Sequence, residues 1–168
     1  MENRDREREE LENYINILKS KYPQVDEIEI EDVFQKAYMV NFTNYDGVSV
    51  TSEKDYLIFD FHATYLDGRV YETTYKDSAA KWDFYQRYNY DHYIFAPKKL
   101  PLAGRAEGLI EAFKKMREND SVLIVLPSEL FLKDYEHTTI IYTLKLHKII
   151  PEKEIKTYDS IQFCAFQK

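Results

Sequence analysis

The side chains best suited to acid–base chemistry are three carboxylates that one predicted hairpin brings close together. Asp60 lies in an alternating run of residues, and Asp67 and Glu72 lie at the following turn and in the next run. Two such carboxylates can act as a general acid and a general base if their surroundings separate their pKa values. Because a group of carboxylates on one hairpin is usually a solvated face, we expect that arrangement here and not an acid–base pair.

Other catalytic and metal-binding motifs are absent from the sequence. Its four glycines form no phosphate-binding loop, and no Gly-x-Ser-x-Gly elbow is present. The four histidines lack metal-ligand spacing, both among themselves and with the single cysteine, Cys164. We therefore expect neither a metal nor a cofactor. His62 and His147 alternate with apolar strand residues, so we expect both to face solvent.

Bulk composition narrows the function classes. The 168 residues are 44% hydrophobic and 15% aromatic, which is enough for a packed core. The formal net charge of −7 lacks the basic footprint of a nucleic-acid-binding protein. No run reaches the roughly 20 apolar residues that a membrane-spanning helix needs. Residues 2–10 are too charged for a signal peptide, so the chain is cytoplasmic if complete, or an export signal has been trimmed.

The first segment predicts an amphipathic helix over residues 4–22, which Pro23 ends. Its apolar stripe consists of Leu11, Tyr14, Ile15 and Leu18. This helix either docks its stripe on the following domain or associates with a second copy. Because the stripe covers only two turns, we favour docking.

Alternation predicts several strands. Residues 27–31 read as an edge strand, and residues 33–42 and 48–50 suggest a hairpin closed by Asp46-Gly47. A second hairpin is indicated at Asp67-Gly68, because both residue types tolerate the positive φ of tight turns. It follows a strand over 57–65, in which the odd positions should face the core.

One helix and two further strands follow. Residues 109–116 place Leu109, Ala112, Phe113 and Met116 on one stripe. Residues 122–126 are apolar throughout and predict a central strand, and residues 139–146 predict the last strand. Strands on both sides of one helix indicate an α+β fold, an antiparallel sheet curled around one central helix, with the N-terminal helix added.

Four segments in register resemble FKBP-type peptidyl-prolyl cis-trans isomerases. They are the 57–74 hairpin, the helix and turn over 108–120, the strand with Pro127-Ser128-Glu129-Leu130, and the last strand. The resemblance runs from about residue 47 to 150. It implies a stem over residues 1–24, an FKBP-like domain over 25–150 and a tail over 151–168. Within that domain, residues 75–93 form an aromatic-rich insert longer than the corresponding family loop.

The resemblance implies a divergent, bacterial prolyl isomerase, or a chaperone-like folding helper that binds proline-containing polypeptides. Many bacterial FKBP-like proteins belong to the cell envelope, which favours a trimmed signal. Rotation about an Xaa-Pro bond costs roughly 18–20 kcal/mol because amide resonance is lost. An apolar pocket favours the twisted amide, whose carbonyl is less polar, so no cofactor is required.

The resemblance also supplies candidate catalytic residues. Aromatic rings persist at Phe61, Tyr71 and Tyr142, which occupy the family's strand tyrosine, pocket phenylalanine and last-strand phenylalanine. At four further candidates the residue type differs from that of the family. Glu72 replaces an aspartate, and Ala106 replaces an isoleucine whose N–H holds the peptide. Leu109 replaces the tryptophan at the floor of the pocket, and Leu132 replaces the tyrosine at its rim.

Further candidates would contact the substrate. Arg105 stands at an apolar wall position, and either Tyr93 or Phe95 takes the remaining wall aromatic. Trp82 and neighbouring tyrosines of the insert form either a self-packed flap or an aromatic wall for a peptide. Since the floor and rim rings are replaced, the alternative is a catalytically inactive FKBP-like module that binds a protein partner through the insert.

Overall fold

The computed structural model describes residues 2–43, 46–81, 95–133 and 136–155, with only the backbone of residues 79–81. The predicted aromatic insert beyond Lys81 and most of the predicted tail lie outside these residues. Three α-helices of this part of the chain are α1 (Asn3–Lys21), α2 (Lys76–Lys81) and α3 (Glu107–Lys114).

The described residues form one seven-stranded sheet in which every pairing is antiparallel. Its strands are β1 (Asp26–Ile28), β2 (Ala37–Asn41), β3 (Tyr56–Tyr65), β4 (Val70–Thr73), β5 (Lys98–Pro101), β6 (Ser121–Leu126) and β7 (Ile140–Ile150). They are ordered β1-β2-β6-β7-β3-β4, and β5 pairs with the first half of β3. The expected α+β class, with a curled antiparallel sheet, a helix and an N-terminal helix, is confirmed.

Helix α3 supplies the centre of the core. Leu109, Ala112 and Phe113 are buried on its inner face, and Met116 is buried just beyond its end. They pack against the odd positions of β3, where Leu57, Phe59, Phe61 and Ala63 are buried, as the alternation predicts. Ile58 is also buried, because the other face of the sheet packs there against Ile150 and Ile155.

The β3–β4 hairpin turns at Gly68, whose φ of 88° suits glycine. The carboxylate of Asp67 accepts a hydrogen bond from the N–H of Arg69 at 3.0 Å, which closes the turn. Past the turn, Ala63 pairs with Glu72 whereas Thr64 pairs with Val70, so Tyr71 is the extra residue of a β-bulge. A bulge re-aims the side chain it carries.

The predicted hairpin at Asp46-Gly47 is wrong. Strand β2 pairs with β1 and β6, while residues 48–50 contribute only an isolated bridge between Ser49 and Arg117. The N–H of Glu118 donates to the carbonyl of Val48 at 2.9 Å, so this segment joins the turn after α3. Local alternation cannot show this partner, because it lies far along the chain.

Helix α1 docks on the outside of the sheet. Leu11, Ile15 and Leu18 are buried against Val40 of β2 and Val125 of β6. The apolar stripe of α1 therefore packs on the domain, as we expected from its short length. Over the described residues, none of the helices combines the length and apolarity needed to cross a membrane.

Candidate functional site

Two buried rings form the floor of an aromatic cluster on the inner face of the sheet. Phe61 is 4% exposed and Tyr142 is 5% exposed, and their ring centroids are 5.2 Å apart. Tyr142 pairs with Ala63 across the β3–β7 ladder, so the two rings are diagonal neighbours on one face. Phe61 is fixed at its backbone, where its N–H donates to the Thr74 hydroxyl at 2.9 Å.

Three half-buried rings complete this aromatic cluster, which we define as Phe61, Tyr65, Tyr71, Phe131 and Tyr142. The Phe131 ring meets Tyr142 at 5.5 Å and Tyr71 at 5.8 Å, both edge-on. Tyr65 packs edge-on against Tyr71 at 5.9 Å. Edge-to-face contacts at these distances are favourable, so the rings hold one another in place. The β-bulge places Tyr71 among them.

The start of α3 lies beside the same core. Leu109 is 8% exposed and belongs to one apolar cluster with Phe61 and Tyr142, and Ala106 and Leu132 pack against that cluster. Ala106 is the N-cap of α3 and provides no side-chain cap. No acceptor within the described ranges takes its N–H, which leaves one backbone donor available at the edge of the cluster.

Gly108 allows α3 to approach the turn that carries Phe131. A Cβ at this position would lie 3.1 Å from the Cβ of Leu130 and 2.5 Å from the Cδ2 of Leu126. Ser128–Leu130 forms a 3₁₀ turn directly before Phe131. The missing side chain of Gly108 therefore sets the spacing between the helix and this turn.

Among the remaining candidates, the structure describes Glu72, Phe95 and Arg105. Glu72 is half-buried opposite Ala63 on β3, Phe95 is half-buried, and Trp82 and Tyr93 lie outside the described residues. Arg105, also half-buried, directly precedes Ala106, and its Nε is enclosed without a hydrogen-bond partner in the described part of the chain. The structure thus gathers Phe61, Tyr71, Ala106, Leu109, Leu132 and Tyr142 around one core.

Sequence reasoning missed Phe131. The resemblance assigned the rim to Leu132, yet the ring of its neighbour contacts both tyrosines. The signal available was the residue type, because a large ring directly before Leu132 requires space and partners.

The carboxylates of the hairpin serve other contacts. Asp60 Oδ2 lies 2.8 Å from His147 Nε2, and Asp67 forms an ion pair with Arg69 at 2.8 Å. The hydrogen bond from the Arg69 N–H lowers the pKa of Asp67. Contrary to our expectation of two solvent-facing histidines, His147 and His62 are each half-buried. Asp60, His62 and His147 lie on the sheet face opposite the aromatic cluster, whereas the Arg69 guanidinium lies over the Tyr65 ring, with its Cζ 4.8 Å from the ring centroid.

A separate groove of about 620 Å³ lies between α1 and residues 34–38. Its lining includes Leu11, Ile15, Phe34 and Tyr38 but none of the candidate residues. We place the candidate site at the aromatic cluster, because converging rings and a backbone donor are present there.

Comparison with known proteins identifies the fold. A peptidyl-prolyl cis-trans isomerase from Pseudomonas syringae pv. tomato superposes with a TM-score of 0.62 and 13% identity, over 89% of this chain and 94% of that one. FkpA from Escherichia coli gives a TM-score of 0.54 and 16% identity, over 69% of this chain and 49% of that one. The structure of the three FKBP domains of wheat FKBP73 gives a TM-score of 0.53 and 17% identity, over 75% of this chain and 51% of that one.

The chain therefore has an FKBP-like α+β fold. It matches about half the length of FkpA and of the wheat protein. No protein-family model matches it, and no curated protein matches it. The likeness rests on backbone geometry, since identity in each superposition is below a fifth.

Proposed function

We propose that this protein is a divergent FKBP-like peptidyl-prolyl cis-trans isomerase or a folding helper that binds proline-containing polypeptides. The observation that carries the proposal is the aromatic cluster, in which rings from β3, β4, β7 and the turn after β6 converge beside the N–H of Ala106, which has no acceptor among the residues that the structure describes. This arrangement combines an apolar surface for a proline ring with a donor for the flanking peptide carbonyl.

The mechanism needs only binding of a twisted amide. Phe61 and Tyr142 form an apolar floor, with Leu109 beside them where the family has a tryptophan. Tyr71 and Phe131 are partly exposed and can contact the proline ring from the side. The Ala106 N–H would hold the chain next to the bond while the amide rotates. Excluding water favours the less polar, twisted amide over the planar ground state.

The second candidate function is a non-catalytic module that binds a protein partner. The observation favouring it is that the Phe131 ring already contacts both Tyr71 and Tyr142. Under this second function, that ring fills the space that a proline ring would need. In that case the insert over 75–93, with Trp82 and Tyr93, would provide the binding surface. Whether the protein works in a bacterial cell envelope, as the resemblance implies, stays a prediction.

Exchange NMR on an Ala-Leu-Pro-Phe peptide tests the proposal. Uncatalysed interconversion takes roughly tens to hundreds of seconds, so acceleration by catalytic amounts of protein is easily measured. We expect acceleration by the wild type and its loss in Tyr71→Ala. The control is Tyr56→Ala, because Tyr56 begins β3 and pairs with Ile150, at the end of the strand away from the cluster.

The outcomes separate the two functions. Acceleration that Tyr56→Ala retains and Tyr71→Ala loses supports an isomerase acting at the cluster. If the wild type gives no acceleration at high protein concentration, the isomerase proposal fails and the binding module replaces it. Equal loss in both variants would indicate that the cluster is not the site.

A further inference from the structure

A carboxylate of the N-terminal helix is buried in the domain. Glu7 is 2% exposed, whereas its neighbours Glu9 and Glu10 face solvent. Burying a charged group is costly unless donors surround it. Glu7 has four: the N–H and hydroxyl of Ser128 and the hydroxyl of Thr139, each at 2.8 Å, and the amide of Gln35 at 3.1 Å.

These bonds complete the 3₁₀ turn that precedes Phe131. The residue before the turn is Pro127, which supplies no side-chain cap, so the first N–H groups of the turn need distant acceptors. Glu7 accepts from the N–H of Ser128, and Gln35 Oε1 accepts from the N–H of Glu129 at 3.1 Å. The amide of Gln35 also donates to Glu7, so α1 and the loop before β2 hold the turn together.

Ser128 connects Glu7 to the segment of the chain that carries Phe131. Its carbonyl accepts from the N–H of Phe131 at 3.3 Å and from the N–H of Lys133 at 2.7 Å. His137 Nδ1 lies 3.5 Å from the Ser128 hydroxyl and 3.9 Å from Glu7 Oε2. Glu7 therefore reaches the ring of Phe131 through a single intervening residue.

We propose that Glu7 is a positioning residue for the candidate site, and that α1 thereby forms part of the site's support. The Glu7 carboxylate holds Ser128 in place through two hydrogen bonds. The Ser128 carbonyl in turn holds the backbone that carries Phe131 and Leu132. The consequence for activity rests on the proposed function, whereas the consequence for Phe131 does not. A displacement of about 1 Å in a positioning group can cost about a hundredfold in rate.

The test compares Glu7→Gln with Ile15→Ala. The first keeps the side chain's size but replaces one of the two accepting oxygens with an NH2 donor, so that the four donors around residue 7 meet a single acceptor oxygen. The second removes apolar atoms from the same buried stripe, against Val40 and Val125, away from the turn. Urea unfolding measures the free energy of unfolding of each variant. The activity and NMR measurements are then made at temperatures at which the two variants are folded to the same fraction.

Two readouts are then taken on the full chain. Aromatic NOEs between Phe131 and Tyr142 report the ring position, and exchange NMR on Ala-Leu-Pro-Phe reports kcat/KM. We expect Glu7→Gln to weaken the NOEs and to lower kcat/KM about tenfold or more, while Ile15→Ala retains both. Unchanged NOEs in Glu7→Gln, or equal changes in the two variants, would overturn the proposal.

Milder variants keep the test decisive if Glu7→Gln does not fold. Ser128→Ala removes one of the hydroxyl bonds to Glu7 but retains the N–H bond, and Thr139→Val removes the other at nearly constant volume. We expect Ser128→Ala to shift the Phe131 signals more than Thr139→Val, because only Ser128 bonds to the backbone of Phe131. The reverse order would overturn the proposal. Absence of wild-type acceleration refutes only the proposed function, since the NOEs still decide this inference.

Discussion

The ring of Phe131 stands on the ring of Tyr142, with centroids 5.5 Å apart and planes at 79°. Tyr71 meets the other side of Phe131 in a similar edge-on contact. Phe131 is therefore either a wall against which a proline ring packs or a plug that fills its place. The proposed isomerase requires the wall, and the binding module requires the plug.

The first prediction concerns Phe131→Ala. If Phe131 is a wall, its removal should lower the acceleration of Ala-Leu-Pro-Phe exchange about tenfold. It should also lower the free energy of unfolding by about 1–3 kcal/mol, below the usual cost for a fully buried phenylalanine because the ring is partly exposed. Exchange NMR and urea unfolding measure the two effects.

Phe34→Ala is the matched control for that variant. Phe34 is 84% exposed and lies away from the cluster, so its removal should leave both quantities nearly unchanged. A rise in acceleration for Phe131→Ala would contradict the wall and identify Phe131 as a plug.

The second prediction concerns Gly108→Ala. Alanine favours a helix by about 1 kcal/mol over glycine, yet its Cβ would press on Leu126 and Leu130. We expect a net loss of about 1–3 kcal/mol in the free energy of unfolding. Lys114→Ala on the exposed side of α3 removes only surface ion pairs with Glu53 and Glu111, so it should lower the free energy of unfolding less than Gly108→Ala does. Greater stability in Gly108→Ala than in wild type would refute the close packing.

The third prediction concerns pH and His62. Burial lowers the pKa of His62 below its ordinary value of 6.5. Between that value and the lower folded-state pKa, the unfolded chain binds a proton that the folded chain does not. Because of His62, the free energy of unfolding should therefore decrease as the pH falls through 6.5. This decrease should level off below the folded-state pKa of His62.

Urea unfolding across pH 5–8 checks this prediction, with His62→Gln as the comparison. The variant should lose part of the wild-type slope of stability against pH in that window. An identical slope in the two proteins would show that His62 titrates alike in both states.

The fourth prediction concerns self-association through α1, which the sequence left as a possibility. Because Leu11, Ile15 and Leu18 pack on the protein's own sheet, their stripe is not available to a second copy. Tyr14 also packs against this cluster, and Ile17 is a large apolar side chain of the helix that stays exposed, at 65%. We expect light scattering to give a monomer for the full chain and for Ile17→Asp alike. A dimer in wild type that Ile17→Asp dissociates would contradict this expectation.

Local patterns were sufficient for most elements of the fold. The Asp67-Gly68 turn, the buried stripe of α3 and the central position of β6 each depend on residues close in sequence. Asn119 and Lys133 adopt positive φ values of 73° and 52°, a backbone conformation that glycine usually supplies. Periodicity of apolar residues alone does not predict these turn conformations.

Long-range contacts were not predictable in the same way. Glu7 appears in sequence as one of many charged residues on a helix, and its partners Ser128 and Thr139 are 121 and 132 residues away. The contacts of Phe131 depend on how the turn after β6 approaches α3, which the absent side chain of Gly108 permits. Neither feature leaves a periodic signal.

The measurement that tests the central claim most directly is a chemical-shift map of the labelled protein with Ala-Leu-Pro-Phe and with Ala-Leu-Ala-Phe. We predict that the proline peptide shifts the N–H of Ala106 and the side-chain signals of Leu109, Tyr71 and Tyr142, and that the alanine peptide shifts them much less. Equal shifts with both peptides, or shifts confined to other surfaces, would contradict a proline site at the aromatic cluster.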